Sequence, residues 1–266
     1  MFGVEILRAL HRPRTYVLGA CLIAVSIIPV WSLAAGNADG GGEGPPFLNM
    51  LAHNGLIGAL VALVIMQSLF LPVGAALLSG EAVSQEASWG TLRYLLVRPV
   101  GRARLILQKY TAVMLQLALA MLLVAIVGLI AGGIAFGFEP LPTLSGSTLP
   151  VGSGLVRILA AWAYVVVGVA GLSAIGMFFS TLTDSAPAAI VATVGVAIAS
   201  QLLDTISKIR WIQPYLLSHD WLAFADLFRS PIYWDRAVHG LWLAAAYTAV
   251  FLGAALWRFS RKDVAS

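Results

Sequence analysis

Charge is what this sequence has least of. Asp, Glu, Lys and Arg make up 11% of its 266 residues, and apolar residues 60%. Soluble domains run about a quarter charged and roughly 45–50% apolar, so an ordinary soluble domain is excluded. Cysteine is nearly absent as well. The single Cys21 excludes a disulfide framework and any CxxC metal or redox site. The four histidines, His11, His53, His219 and His239, show no ligand spacing and read as surface or interfacial residues. There is no GxxxxGK[ST], no HExxH and no GxSxG, so the chain lacks a nucleotide-binding P-loop, a zinc-peptidase helix and a hydrolase elbow. A net charge of +4 in so apolar a chain reflects membrane topology, and no nucleic-acid partner is expected.

What the sequence has is long apolar runs. Six of them, Tyr16–Ala35, Asn54–Leu78, Tyr110–Phe136, Ile158–Ser180, Ala186–Leu203 and Ala237–Trp257, approach the roughly 20 residues needed to cross a bilayer. They are continuous and rich in Ala, Leu, Val and Gly, without the strict alternation of barrel strands. The expectation is an all-α polytopic membrane protein forming one domain over residues 1–266. It has six transmembrane helices, an N-terminal interfacial segment (1–14), a cytoplasmic loop (80–108) and an outer interfacial loop (204–236). The first run follows Arg8, Arg12 and Arg14, and Ser32-Leu33-Ala34 resembles a cleavage site. The run exceeds the roughly 7–15 residues of a signal core, so it reads as a span.

Basic residues set the orientation. Eleven of the sixteen Lys and Arg fall on one set of span ends: Arg8, Arg12, Arg14, Arg93, Arg98, Arg102, Arg104, Lys109, Arg258, Arg261 and Lys262. The other set holds five, Arg157, Lys208, Arg210, Arg229 and Arg236. The richer side is expected to be cytoplasmic. Both termini then lie inside a plasma (inner) membrane, as an even number of spans requires.

The connecting segments differ in character. In residues 1–14, Val4, Ile6, Leu7 and Leu10 can share a face, and Pro13 is expected to end the turn. An interfacial helix and a plain basic flank both fit. Gly36–Pro46 reads as a flexible outer linker. The segment 204–236 carries Trp211, Tyr215, Trp221, Phe224, Phe228, Tyr233 and Trp234 among four acids and four bases. It reads as short helices on or dipping into the outer leaflet, with an interfacial anchor preferred over an external gate. Spans four and five are joined by a short turn at Thr183-Asp184-Ser185 and must be antiparallel neighbours. Ser185 is placed to cap the next helix and Pro187 to open it. Ala188, Ala192, Gly195 and Ala199 form a small-residue row, expected to pack closely within the chain, with a dimer interface as the alternative.

No Asp, Glu, Lys or Arg lies inside any of the six runs. An ion-coupled transporter or proton pump usually places such groups at mid-membrane, so neither mechanism is favoured. Gln67 and Gln116 are the main polar residues there. Interhelical hydrogen bonding is the expected role for each, and lining a substrate pathway is the alternative. The chain is not expected to be an enzyme or to bind a cofactor. Any work it does needs a partner's energy.

The place for such a partner is the loop after the second span. Glu81 and Glu86 open it, and Arg93, Arg98, Arg102, Arg104 and Lys109 close it. Trp89, Leu92, Leu95 and Leu96 have helical spacing and form an apolar ridge. Arg98-Pro99 should stop that helix, Gly101 allows the return, and Lys109 is expected to snorkel at the boundary. The ridge needs lipid headgroups or a protein groove to cover it.

Glu81, Glu86, Gly90-Thr91-Leu92, Leu95-Leu96, Arg98-Pro99, Arg102 and Lys109 resemble the cytoplasmic signature after helix 2 in ATP-binding-cassette permeases of the second exporter type. Arg258-Phe259-Ser260-Arg261-Lys262-Asp263 is similar to that family's basic-aromatic tail. The layout resembles it along the whole chain. Gln108 is one departure, where relatives often have Gly. The resemblance implies a plasma-membrane exporter half. It pairs with a second copy of itself or a homologous permease and engages a separate cytoplasmic ATPase subunit, which holds the ATP and magnesium. The loop would supply the coupling helix seated in that ATPase. By the resemblance, Glu81 and Glu86 orient the loop, and Gly90-Thr91 permits close approach and caps the coupling segment. Trp89, Leu92 and Leu96 form its ridge, and Arg98-Pro99 and Arg102 fix its exit. Two other readings stand beside this one. One is a module that transmits ATPase motion without transporting. The other is a channel or secondary transporter, disfavoured by the missing charge. The apolar interior favours lipid-like or amphipathic cargo.

Overall fold

The computed structural model describes residues 13–34, 54–88, 101–138, 140–142 and 148–261. Eight α-helices carry these residues. They are α1 (Pro13–Ala34), α2 (Leu56–Ile65), α3 (Leu71–Ser88), α4 (Arg102–Phe136), α5 (Val151–Gly168), α6 (Ala170–Leu182), α7 (Ala186–Thr205) and α8 (Asp235–Arg261). A π-helical turn, Met66–Phe70, joins α2 to α3. A two-residue pair, β1 (Leu141–Pro142) with β2 (Thr148–Leu149), links α4 to α5, antiparallel with Leu141 opposite Leu149. Short 3-10 turns at Ser207–Ile209, Gln213–Tyr215 and Ala223–Phe228 fill the segment before α8.

Five of the resulting rods are long and apolar enough to cross a membrane: Leu56–Glu86, Ala103–Phe136, Val151–Leu182, Ala186–Thr205 and Asp235–Arg261. By helix length and hydropathy this is an all-α, multi-pass membrane protein. In α1 the apolar stretch is the shorter Ala20–Ser32. Pro13 opens α1 where it was expected to end a turn, because a proline in the first turn gives up an N–H that has no helical partner anyway. The rods that hold α3 and α4 also outrun the expected spans, with α3 continuing to Ser88 and α4 starting at Arg102.

Glycine lets α2 and α4 meet backbone to backbone. A Cβ on Gly58 would overlap the Gly128 carbonyl oxygen, and one on Gly132 would overlap the Gly55 carbonyl. Gly128 and Gly132 are four apart on one face of α4, the small-xxx-small spacing that lets membrane helices meet backbone to backbone. Gly137 then ends α4 at φ +71, and its carbonyl accepts the Gly55 N–H at 2.8 Å. The expected small-residue row on α7 behaves differently. Ala188, Gly195 and Ala199 are exposed, and the buried face carries Ala189, Thr193, Ala197 and Ser200. The correction has a simple cause: α3 and α6 meet α7 on the Thr193 side, leaving the row facing outward.

The turn into α7 has the expected proline, with Pro187 in its first turn. Ser185 makes no side-chain cap bond. Instead the Ser185 N–H donates to Thr183 Oγ1 at 3.1 Å. The neighbouring α6 and α7 do pack together, as so short a turn demands.

The π turn also has a local cause. Pro72 lacks the N–H that would pair with the Ser68 carbonyl and crowds that carbonyl in a regular helix. The helix widens by one residue, and the Leu71 N–H donates to the Met66 carbonyl. The Ser68 carbonyl accepts instead from Gln201 Nε2 of α7 at 3.3 Å.

The two ends of the bundle segregate as the charge count anticipates. At one end Val83, Leu105, Ile106, Tyr110, Met177 and Phe259 share a buried cluster. The roots of the 89–100 segment and the end of α8 therefore lie together. At the other end Asn54 Nδ2 donates to the Pro140 carbonyl at 3.1 Å, and Arg157 reaches the segment before α8.

Candidate functional site

The basic end carries the first candidate site, where α3 and α4 leave for residues 89–100. Lys109 Nζ donates to Glu86 Oε1 at 2.6 Å, with the lysine side chain 9% exposed and the glutamate 25%. The pair joins residues 23 apart in sequence and closes the base of the loop. Lys109 was expected to snorkel outward. It turns inward because a carboxylate one helix away offers a charge-assisted bond. Glu81 lies on α3, five residues before Glu86, at intermediate exposure, and Arg102 is the first residue of α4.

The same end is bolted to α6. Ser180 Oγ accepts from the Val83 N–H and the Ser84 N–H, both at 2.9 Å. A Cβ on Gly176 would overlap Ser79 Oγ, and one on Gly80 would meet Ile190 of α7 at 2.9–3.1 Å. With so little room on either side, α3 cannot slide without carrying α6 and α7, because packed interiors transmit strain. Tyr110 Oη donates to the Ala170 carbonyl at 3.0 Å, tying α4 to the start of α6. Phe259, from the basic-aromatic tail, is 2% exposed within this cluster. A pull on the loop would therefore reach five helices, α3, α4, α6, α7 and α8, through a charge pair, a hydroxyl bridge and apolar contact.

The other end carries a second candidate, the segment between α7 and α8. It was expected to lie on or dip into the outer leaflet, with an interfacial anchor preferred over a gate. Much of it folds into the bundle. Leu217, Asp220, Trp221, Phe224 and Asp226 are all buried. A Cβ on Gly171 of α6 would sit 2.9 Å from Leu217 and 2.9 Å from Tyr247 of α8. Tyr247 Oη donates to the Tyr215 carbonyl at 3.0 Å. Tyr247 is twelve residues into α8, about 18 Å at 1.5 Å per residue, so the segment dips well below the helix ends. Trp211, Tyr233 and Trp234 remain exposed, and Tyr215, also exposed, is the residue whose carbonyl meets Tyr247.

This re-entrant cap carries charge into the bundle. Asp220 is 3% exposed, and its Oδ2 lies 2.6 Å from His239 Nδ1, its Oδ1 3.6 Å from Arg236 Nε. Tyr164 Oη donates to the Asp220 backbone carbonyl at 2.6 Å. Asp226 pairs with Arg229 at 2.9 Å and Arg236 at 3.4 Å. Arg157 of α5 donates to the Leu227 carbonyl at 2.8 Å and the Arg229 carbonyl at 2.9 Å. His219 Nδ1 meets Asp204 Oδ1 at 2.6 Å. Both histidines among the described residues, His219 and His239, thus have carboxylate partners. The six apolar runs hold no charge, yet buried carboxylates reach the bundle from between them.

Of the residues singled out from sequence, the structure brings Glu86 and the start of α4 together. Trp89, Gly90, Thr91, Leu92, Leu96, Arg98 and Pro99 lie outside the described residues, as do residues 1–12 and the glycine-rich outer loop. Gln116 is half-buried on α4. Gln67 sits in the π turn, 1% exposed, and neither amide atom has a hydrogen-bond partner. Its expected interhelical bond is not formed. Ser180 and Asp220 are residues that sequence reasoning passed over. Lys109 was placed at the loop's end and His239 among the interfacial histidines, but neither carboxylate partner was foreseen. A shallow hollow between α4 and α5, lined by Leu122, Leu129, Leu155 and Trp162 among others, is apolar.

A family model described as a protein of unknown function, DUF2705, matches residues 24–265. No curated protein matches the chain.

Proposed function

The chain belongs to the DUF2705 family of proteins of unknown function, and from there we propose that it is the membrane-spanning permease subunit of an exporter driven by a separate ATP-binding-cassette ATPase. In this reading α1 supplies a sixth span: its 22 residues extend about 33 Å, enough for a hydrocarbon core of roughly 30 Å. Two copies, or this chain with a homologue, form the pathway. The ATPase binds ATP and magnesium in the cytoplasm, and the 89–100 segment docks in its groove.

The observation that carries the reading is the clamped base of that segment. A loop meant to pass on force needs roots that do not slip. The Glu86–Lys109 pair and the Ser180 bridge to Val83 and Ser84 meet that need. A loop serving only as a connector gains nothing from a buried ion pair, which costs desolvation to form. The sequence within the segment supplies the rest: the Trp89, Leu92 and Leu96 ridge, Gly90-Thr91 at its start and Arg98-Pro99 at its exit.

Transmission without transport is the second reading. The re-entrant cap favours it, since the outer half of the bundle is filled by Leu217, Trp221 and Phe224, which closes the way through a single copy. Under the exporter reading the same cap is an outer gate. The experiment begins with co-expression of the chain and the soluble ATPase encoded nearest to it. Leu92→Asp would bury an unpaired charge in the docking groove and Gly90→Trp would block close approach. Both are expected to abolish co-purification and ATP turnover by the complex. If both variants assemble and turn over ATP like the parent, the loop is not the docking element.

A further inference from the structure

We propose that His219 of the re-entrant cap and Asp204 of α7 form a proton-dependent latch, fastened when the imidazole is protonated and loosened when it is neutral. The inference is independent of whether the chain transports anything.

Two consecutive cap residues tie the cap to two different helices. His219 Nδ1 lies 2.6 Å from Asp204 Oδ1, in the last turn of α7. Asp220 Oδ2 lies 2.6 Å from His239 Nδ1, near the start of α8. Each contact joins an imidazole to a carboxylate, but the surroundings differ. Asp220 also faces Arg236 of α8 at 3.6 Å, and Arg236 and Arg229 both pair with Asp226. From α5, Tyr164 holds the Asp220 backbone carbonyl and Arg157 the Leu227 and Arg229 carbonyls. Two carboxylates thus face the guanidinium charges of Arg229 and Arg236, so the α8 side is balanced with His239 neutral.

The α7 side has no such balance. Among the described residues, no arginine or lysine pairs with Asp204, and His219 is its one ion-pair partner. The other contacts here are neutral. The Ser200 and Ser218 hydroxyls lie 2.8 Å apart, and the Ser218 N–H donates to Ser200 Oγ at 3.1 Å. Gln213 Nε2 donates to the Asp204 backbone carbonyl at 2.7 Å, and from α8 Tyr247 Oη donates to the Tyr215 carbonyl. Asp204 also sits at the carbonyl end of α7, where the helix dipole disfavours a negative charge and favours a positive one.

Protonation of His219 supplies the missing charge. A neutral imidazole can donate its Nδ1 proton to Asp204, but the carboxylate then keeps its charge uncompensated. A second proton on the ring makes the bond charge-assisted, which is the stronger kind. Histidine is the side chain whose charge ordinarily changes between about pH 5 and 8. The latch is therefore fully formed at the acid end of that window and weakens as pH rises through it. Asp220 keeps its guanidinium partner throughout, so mild alkali frees the α7 edge of the cap while the α8 edge holds.

Backbone hydrogen–deuterium exchange of the purified full chain in nanodiscs, at about pH 5.5 and about pH 8, tests the latch. Protection factors remove the intrinsic pH dependence of exchange. They are compared for residues 213–222 of the cap and, as an internal control, residues 244–255 of α8. The cap should be about threefold better protected in acid, the scale of a partly exposed ion pair, since the His219 and Asp204 side chains are 31% and 26% exposed. The α8 control should not change. His219→Asn keeps a donor beside Asp204 but cannot take up the charge, and Asp204→Asn removes the carboxylate. Both should abolish the difference. His239→Asn should lower protection at both pH values and leave the difference in place. Equal protection of the parent cap at the two pH values would overturn the proposal. So would a difference that survives in His219→Asn or Asp204→Asn, or one that is lost in His239→Asn, which would place the proton on the α8 side.

Discussion

Lys109→Met is expected to destabilise the folded protein by about 2 kcal/mol, the scale of a hydrogen bond to a charged group. The change takes the Lys109 ammonium away from a Glu86 carboxylate that is 25% exposed and keeps its other contacts. The double variant Glu86→Leu/Lys109→Met should recover most of the loss, because apolar residues of similar size can replace a buried pair without penalty. Denaturant unfolding of the detergent-solubilised chain gives both values. A single variant indistinguishable from the parent would mean that the pair is solvated and the loop's roots are not clamped.

Gly132→Leu is expected to have the larger effect, above about 4 kcal/mol, at the extreme of single substitutions. The first added carbon already overlaps the Gly55 carbonyl oxygen. Backbone cannot rotate aside as a side chain does, so α2 and α4 must separate, and the contact between Asn54 and Pro140 is lost with them. Gly253→Leu is the matched control, since a Cβ there meets nothing within 4 Å. Yield of monodisperse protein after detergent extraction should collapse for Gly132→Leu and hold for Gly253→Leu. Normal yield for both would show that the α2–α4 approach is looser than described.

The apolar runs were legible because membrane solvation imposes length and composition directly. Five of the six expected spans coincide with helices long enough to cross, although α3 and α4 extend beyond them. Gly128 and Gly132 were legible in principle, as small-xxx-small spacing in an apolar helix, while the row on α7 had the same look and faces outward. Spacing alone does not say which face a neighbour occupies. The Glu86–Lys109 pair was half legible: both residues flank the loop, but pairing depends on how α3 and α4 lie side by side. A dip of the segment 204–236 was open from the sequence, but its packing among the helices was not legible. Its aromatic rings and charges read as interfacial, and the carboxylate of Asp220 enters the bundle with His239 and Arg236 as its partners, while Tyr164 holds the Asp220 backbone carbonyl. Buried charge from a re-entrant segment escapes any scan confined to the spans themselves.

The central claim is that this chain has no energy source of its own and is moved by a separate ATPase through the loop between α3 and α4. The most direct measurement is ATP hydrolysis in proteoliposomes holding the purified chain, with and without the co-expressed ATPase. The account predicts no hydrolysis by the chain alone, and hydrolysis by the ATPase that rises when the chain is present and no longer rises with Leu92→Asp. Hydrolysis by the isolated chain, or solute flux driven through it by a proton or sodium gradient alone, would contradict it.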